Sequence, residues 1–283
     1  MANEVKSLSA YVRDVVESMG GGILGRTSNA GAPSYLYDTA RLRWVGLNAT
    51  LRWDGWHIFM DGSGNAQYNI RRLITYFPGS GSIAPDSPFS ASPGADQDYL
   101  AFREPHPLDI QVAINRVLPN LHYPTEYAVV TATMNLRQFA LPSWLTQKWQ
   151  VTRVRRRYND SPDTYQYRDP IWWDLLRSEG DLRLYMEPAV EASVVLVLDV
   201  YQPYSTLGTW TATSSAPSRY LTAAAKVPIF NALKNAAAGQ ARKHYEEREA
   251  EAMSDYRIIA PEYLPRVAVP IKVTPAPEGI EIV

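Results

Sequence analysis

The chain has no cysteine. This excludes disulfides, thiolate nucleophiles and cysteine-ligated metal centres, and it fits assembly in a reducing compartment. A long apolar run is also missing: the longest, Val194–Leu198, is far below the roughly 20 residues of a spanning helix. Met1–Lys6 lacks a basic stretch leading into an apolar one, so no signal peptide is expected there. An excess of one charge is absent as well. The 28 Lys and Arg nearly cancel the 29 Asp and Glu, so no global field draws the chain to nucleic acid or anionic membrane.

Catalytic signals are equally sparse. The four histidines, His57, His106, His122 and His244, show no i, i+4 pairing and read as structural or surface residues. No G-x-S-x-G elbow occurs, and no Gly-rich loop ends in Lys-Ser/Thr. Carboxylates are plentiful, but spacing alone brings no two to the ~5 to 9 Å that glycoside hydrolysis requires. No enzyme activity, metal or cofactor is expected.

What is present describes a folded, water-soluble protein: 46% of residues are hydrophobic and 20% charged, over a length that suits one large or two modest domains. The 21 prolines and 18 tyrosines, with many short Leu/Ile/Val runs, favour numerous strands and turns. Leu8, Tyr11, Val12, Val15, Val16 and Met19 recur at helical spacing before the stop Gly20-Gly21-Gly22. Leu51–Met60, Arg71–Phe77 and Tyr99–Phe102 read as strands. Pro105-His106-Pro107 opens a second helix with an apolar stripe of Leu108, Val112, Ile114 and Leu118. Tyr127–Tyr201 reads as a small antiparallel sandwich or barrel, with strands over Trp149–Tyr158, Leu182–Met186 and Ser193–Tyr201. Ser218–Arg257 returns to helix, kinked or broken at Pro228 and divided at Gly239.

The expected organisation is therefore an N-terminal helix (1–22), an inserted β module (23–104), a helix (105–122), a second β module (123–205), C-terminal helices (206–258) and an extended arm (259–283). As a fold class this is α+β, a helical bundle interrupted by two small antiparallel β modules. Prolines 261, 265, 270, 275 and 277 forbid a long helix in the arm, and its β-branched Val267, Val269, Ile271 and Val273 suit strand-like assembly on a neighbour.

Three residue groups are candidates for function. Strand alternation places Arg153, Arg155 and Arg157 on one face, for a channel or a subunit boundary, with a solvated face as the plainer alternative. Val227 and Phe230 share a helix face that suits packing. The pairs Trp53/Trp56, Trp144/Trp149 and Trp172/Trp173 could stack on sugars or bases, although tryptophan on strands more often fills cores and subunit contacts.

The segment order resembles the head-to-tail adaptor (connector, head-completion) proteins of tailed bacteriophages. Three stretches carry the likeness. LDIQVAINRVLPNLHYPTEYAVVTATMNLRQFALPSW follows a helix, proline stop, strand and turn into a β block. LRWDGWHIFMDGSGNAQYNIRRLITYFPGSGSIAPDSPF, ending near Asp98-Tyr99, is similar to a β insert of phage neck and tail proteins. TAAAKVPIFNALKNAAAGQARKHYEEREAEAMSDYR resembles the closing helices of such adaptors. The resemblance implies a structural virion protein, assembled in the host cytoplasm. It would form a ring of typically twelve copies in the neck and contact itself, the portal protein and a tail or tail-terminator protein. Double-stranded DNA would pass through its channel, and no membrane would be involved. A near-zero net charge suits such a duct, because many phosphate contacts would retain the DNA. The alternatives are a tail-completion or baseplate protein and, in a different class, a carbohydrate-binding module.

Overall fold

The structure, a computed structural model, describes residues 4–20, 22–40, 56–61, 66–77, 79–130, 136–157, 167–168, 172–178, 180–190 and 194–263. In chain order the first elements are β1 (Lys6–Ser7), α1 (Leu8–Met19), β2 (Gly22–Arg26), β3 (Leu36–Tyr37), β4 (His57–Met60), β5 (Ile70–Phe77), β6 (Ser82–Pro85), β7 (Asp98–Phe102) and α2 (Pro107–Val117). Next come β8 (His122–Val130), β9 (Leu136–Ala140), β10 (Val151–Arg157), β11 (Tyr167–Arg168), β12 (Trp172–Ser178), β13 (Asp181–Val190) and β14 (Val195–Pro203). The chain continues through β15 (Thr213–Ser214), α3 (Ser218–Ala236) and α4 (Gly239–Tyr263). Two compact units result: one from Met1–Leu121 with Tyr204–Tyr263, the other from His122–Pro203.

The expected helical bundle does not form. Among the described residues the fold is β-rich, with four antiparallel sheets of six, four, three and two strands beside four α-helices. The physical reason lies in where apolar area is buried. Each β segment carries enough inward-facing side chains to build its own core, so neither is a small insert on a helical scaffold.

In the first unit, β2-β7-β4-β5-β6-β3 form the six-stranded sheet, over a core that includes Leu36, Ile58, Met60, Leu73, Ile83 and Tyr99. Helix α1 starts where the Ser7 hydroxyl accepts the Ala10 N–H and stops at Gly20 in the left-handed region, φ 74°. Its buried Tyr11 donates its hydroxyl to the carbonyls of Ser214 (3.0 Å) and Ala216 (2.7 Å). That bond ties the start of the chain to the segment entering α3. Asn115 of α2 brackets Leu207 in the same way, donating to its carbonyl at 3.1 Å and accepting its N–H at 2.8 Å.

Helices α3 and α4 form an antiparallel hairpin zipped by charge. Arg219 meets Glu262 at 3.3 Å, Lys226 meets Asp255 at 3.3 Å, and Lys234 and Asn231 both bind Glu249. The cations come from α3 and the carboxylates from α4. Gly239, φ 59°, starts α4. That helix runs past the expected end of the helices at 258 and through Pro261 to Tyr263. Proline removes only the bond to Arg257 one turn from the end, and buried Ala260 and the Tyr263 ring, 5.8 Å from Tyr220, hold the last turn in place.

In the second unit the four-stranded sheet β11-β10-β14-β8 shares a core with the three-stranded sheet β12-β13-β9. Val154, Leu196, Leu198 and Val200 enter from one sheet and Leu175, Leu184, Met186 and Val190 from the other. Period-two alternation along β14 is what selects Leu196, Leu198 and Val200 for the inward face.

Candidate functional site

The expected stripe on α2 is only half correct, and the error exposes a surface. Ile110, Ala113, Ile114 and the following Leu118 are buried against α1 and α3, whereas Leu108 and Val112 are 48% and 49% exposed. Positions 110, 113, 114 and 118 form the i, i+3, i+4 face, and 108 and 112 lie one row to the side. The helix enters at a fixed angle because His106 Nδ1 accepts the Leu108 N–H at 3.2 Å. Between α2 and α3 lies an apolar hollow of ≈ 320 Å³, with walls from Pro105, Val112, Ala113, Ile229 and Leu233. A second hollow, ≈ 160 Å³, continues it past the shared Pro228 toward Val227, Ala224 and Tyr220. Pro228 has no N–H, so the Ala224 carbonyl cannot receive its helical i+4 bond.

Val227 thus lines the groove, while Phe230 is buried. The guanidinium of Arg248 lies 5.4 Å from the Phe230 ring centroid. The same group donates to the Met19 carbonyl at 2.8 Å and to Glu251 at 3.0 Å. Phe230 therefore packs within one subunit.

Within the arginine row, Arg155 is held by two ion pairs. Arg155 binds Glu126 at 2.6 Å and also Asp199, reaching across β14 to β8. These hydrogen bonds, the one to Glu126 foremost, raise the pKa of the guanidinium further. Arg155 is thus joined to carboxylates of its own sheet. Arg153 is exposed, and Arg157 is half-buried on the same strand. A bulge at Thr152 shifts the register just before the row. Val267, Val269, Ile271 and Val273 lie outside the described residues.

A cleft of ≈ 330 Å³ in the first unit was not foreseen. Its polar groups are Arg13, Arg26, Asp38, Asp98 and Tyr99. Gly25 makes it possible, because a Cβ there would meet the Tyr99 ring at 2.1 Å. With that space, Tyr99 lies over the backbone and donates to buried Asp38 at 2.9 Å. Arg26 pairs with Asp98 at 2.8 Å, and Arg13 pairs with Asp61. The charges of this cleft are engaged with one another.

Among the described residues the tryptophans do not pair into platforms. Trp144 and Trp173 pack on the second unit's core, and Trp56 packs on the first unit's core. Trp172, on the opposite face of β12, meets Tyr185 at 5.8 Å, and Trp149 meets His122 at 5.0 Å. Trp53 lies outside the described residues. His57 and His106 stack edge to face at 4.7 Å, and burial, then the charge of His106, holds the His57 pKa below its usual value. Among the described residues no group of three His, Asp or Glu could hold a metal, and no helix is long and apolar enough to cross a membrane.

No family model matches the chain, and neither a curated protein nor a solved structure matches it.

Proposed function

We propose that this chain is a non-enzymatic structural subunit that packs beside copies of itself, as a head-to-tail adaptor in the neck of a tailed-phage virion. The observation that supports this reading is the α2–α3 groove, with Leu108 and Val112 half-exposed beside it. Apolar side chains gathered along an open groove suit contact with another protein surface. The ring, the portal contact and the DNA channel follow from the resemblance of the segment order. In such a duct the internal pairing of Arg155 leaves fewer cations to retain DNA.

Light scattering and electron microscopy of the purified chain, alone and with a phage portal protein, test the reading. A closed ring that docks on the portal is the expected outcome. A monomer at all concentrations that saturably binds an oligosaccharide would replace it with the carbohydrate-binding alternative.

A further inference from the structure

We propose that the α2–α3 groove is the seat of residues Leu264–Val273 of a neighbouring copy. This rests on the reading of the chain as a self-assembling subunit and goes further by naming the contact. Four observations carry it.

The groove has the length of an extended segment. From Tyr220 to Ala236 the α3 wall rises about 24 Å. Ten extended residues reach at most about 33 to 36 Å, so Leu264–Val273 can span it. The chemistry matches as well. Alternation sets Val267, Val269, Ile271 and Val273 on one side of the segment and Arg266, Ala268, Pro270 and Lys272 on the other. The first set fits the walls of Val112, Ala113, Ile229 and Leu233. The second keeps its cations in water, above a rim that carries both Asp109 and Arg116. The wall is also least regular where the two hollows meet, since Pro228 denies the Ala224 carbonyl its helical donor there.

The direction of the chain selects a neighbour's segment over its own. Helix α4 runs antiparallel to α3 and ends with Tyr263 against Tyr220. The axis of α4 therefore points past the Tyr220 end of α3 and away from the groove. Entering that groove would take a full reversal immediately after Tyr263, whereas a segment from an adjacent copy needs none.

The absence of cysteine makes the test clean. The full chain carrying Ala232→Cys and Val269→Cys is oxidised mildly and run on a non-reducing gel, with light scattering on the same sample. Ala232 is exposed on the groove wall. A ladder of covalent dimers and larger species, collapsed by reductant, is expected. The control pair Ile258→Cys and Val269→Cys, with Ile258 on the outer face of α4, stays unlinked. A disulfide within a single chain overturns the proposal, and so does an assembled but unlinked sample, which leaves the self-assembly reading standing. A sample that scatters as a monomer throughout removes that reading and the proposal with it.

Discussion

Arg248 on the last helix donates a hydrogen bond of 2.8 Å to the carbonyl of Met19, the final residue of the first helix. Helix ends expose carbonyls with partial negative charge, so a guanidinium placed there both satisfies an acceptor and complements the dipole. The same group covers the Phe230 ring. One side chain therefore joins α1, α3 and α4. Arg248→Ala should lower stability by about 1 to 2 kcal/mol in urea unfolding, with Arg248→Lys intermediate because it cannot serve both contacts. No change in the midpoint for the alanine variant would show that the junction holds without it.

Phe230→Ala should be the more damaging change, at about 3 to 5 kcal/mol, because the ring is 4% exposed and its removal leaves a cavity beneath Arg248. Thermal unfolding of the variant checks this. A loss within error of a surface substitution would mean the hairpin collapses into the space.

Arg155→Gln leaves Glu126 and Asp199 facing each other as a cross-strand pair without the shared cation. Like charges directly opposite are unfavourable, and the pair is partly exposed, so a loss of about 1 kcal/mol is expected. Adding Asp199→Asn should recover part of it. Additive losses in the double variant would contradict the linkage.

Tyr11 is buried, and burial raises its hydroxyl pKa from 10.0 to about 12. The folded state thus favours the neutral phenol. Its contribution to stability is present below pH 10 and is lost as pH rises toward and through the folded value. Tyr11→Phe should remove that alkaline dependence and, by removing the hydroxyl donor to the Ser214 and Ala216 carbonyls, lower stability at neutral pH by about 1 to 3 kcal/mol. Denaturant unfolding across the alkaline range provides both readouts.

His57 has the opposite sense. Its pKa is lowered from 6.5, chiefly by burial and then by His106. The unfolded chain takes up a proton first as pH falls through 6.5, and the folded state resists it, so stability should decline on the acid side. His57→Gln should flatten the difference between unfolding curves at about pH 8 and about pH 5. An unchanged slope would assign the acid sensitivity to other groups.

Much of the local structure was legible in the residues. The apolar spacing from Leu8 to Met19 gives α1 with its glycine stop, and the run before the second helix gives α2 to within one residue. Gly239 divides the two closing helices as its turn chemistry implies. Other features were not legible. Trp172–Ser178 forms a strand that its composition did not announce, because its pairing with Asp181–Val190 supplies the backbone partners. Pro261 does not end α4, because packing against α3 outweighs one missing bond. The arginine row alternates as expected, yet the partners of Arg155 lie 29 and 44 residues away in sequence.

By itself the sequence determined which segments are helical or extended, where several of them stop, and that disulfides play no part. These depend on periodicity, capping and composition, all properties of neighbouring residues. Only the tertiary structure decided that the β segments build cores of their own, that Arg155 binds its own sheet, and that Leu108 and Val112 face outward beside a groove. Those outcomes depend on which distant surfaces meet, and the side chains that settle them are brought together only when the chain has folded.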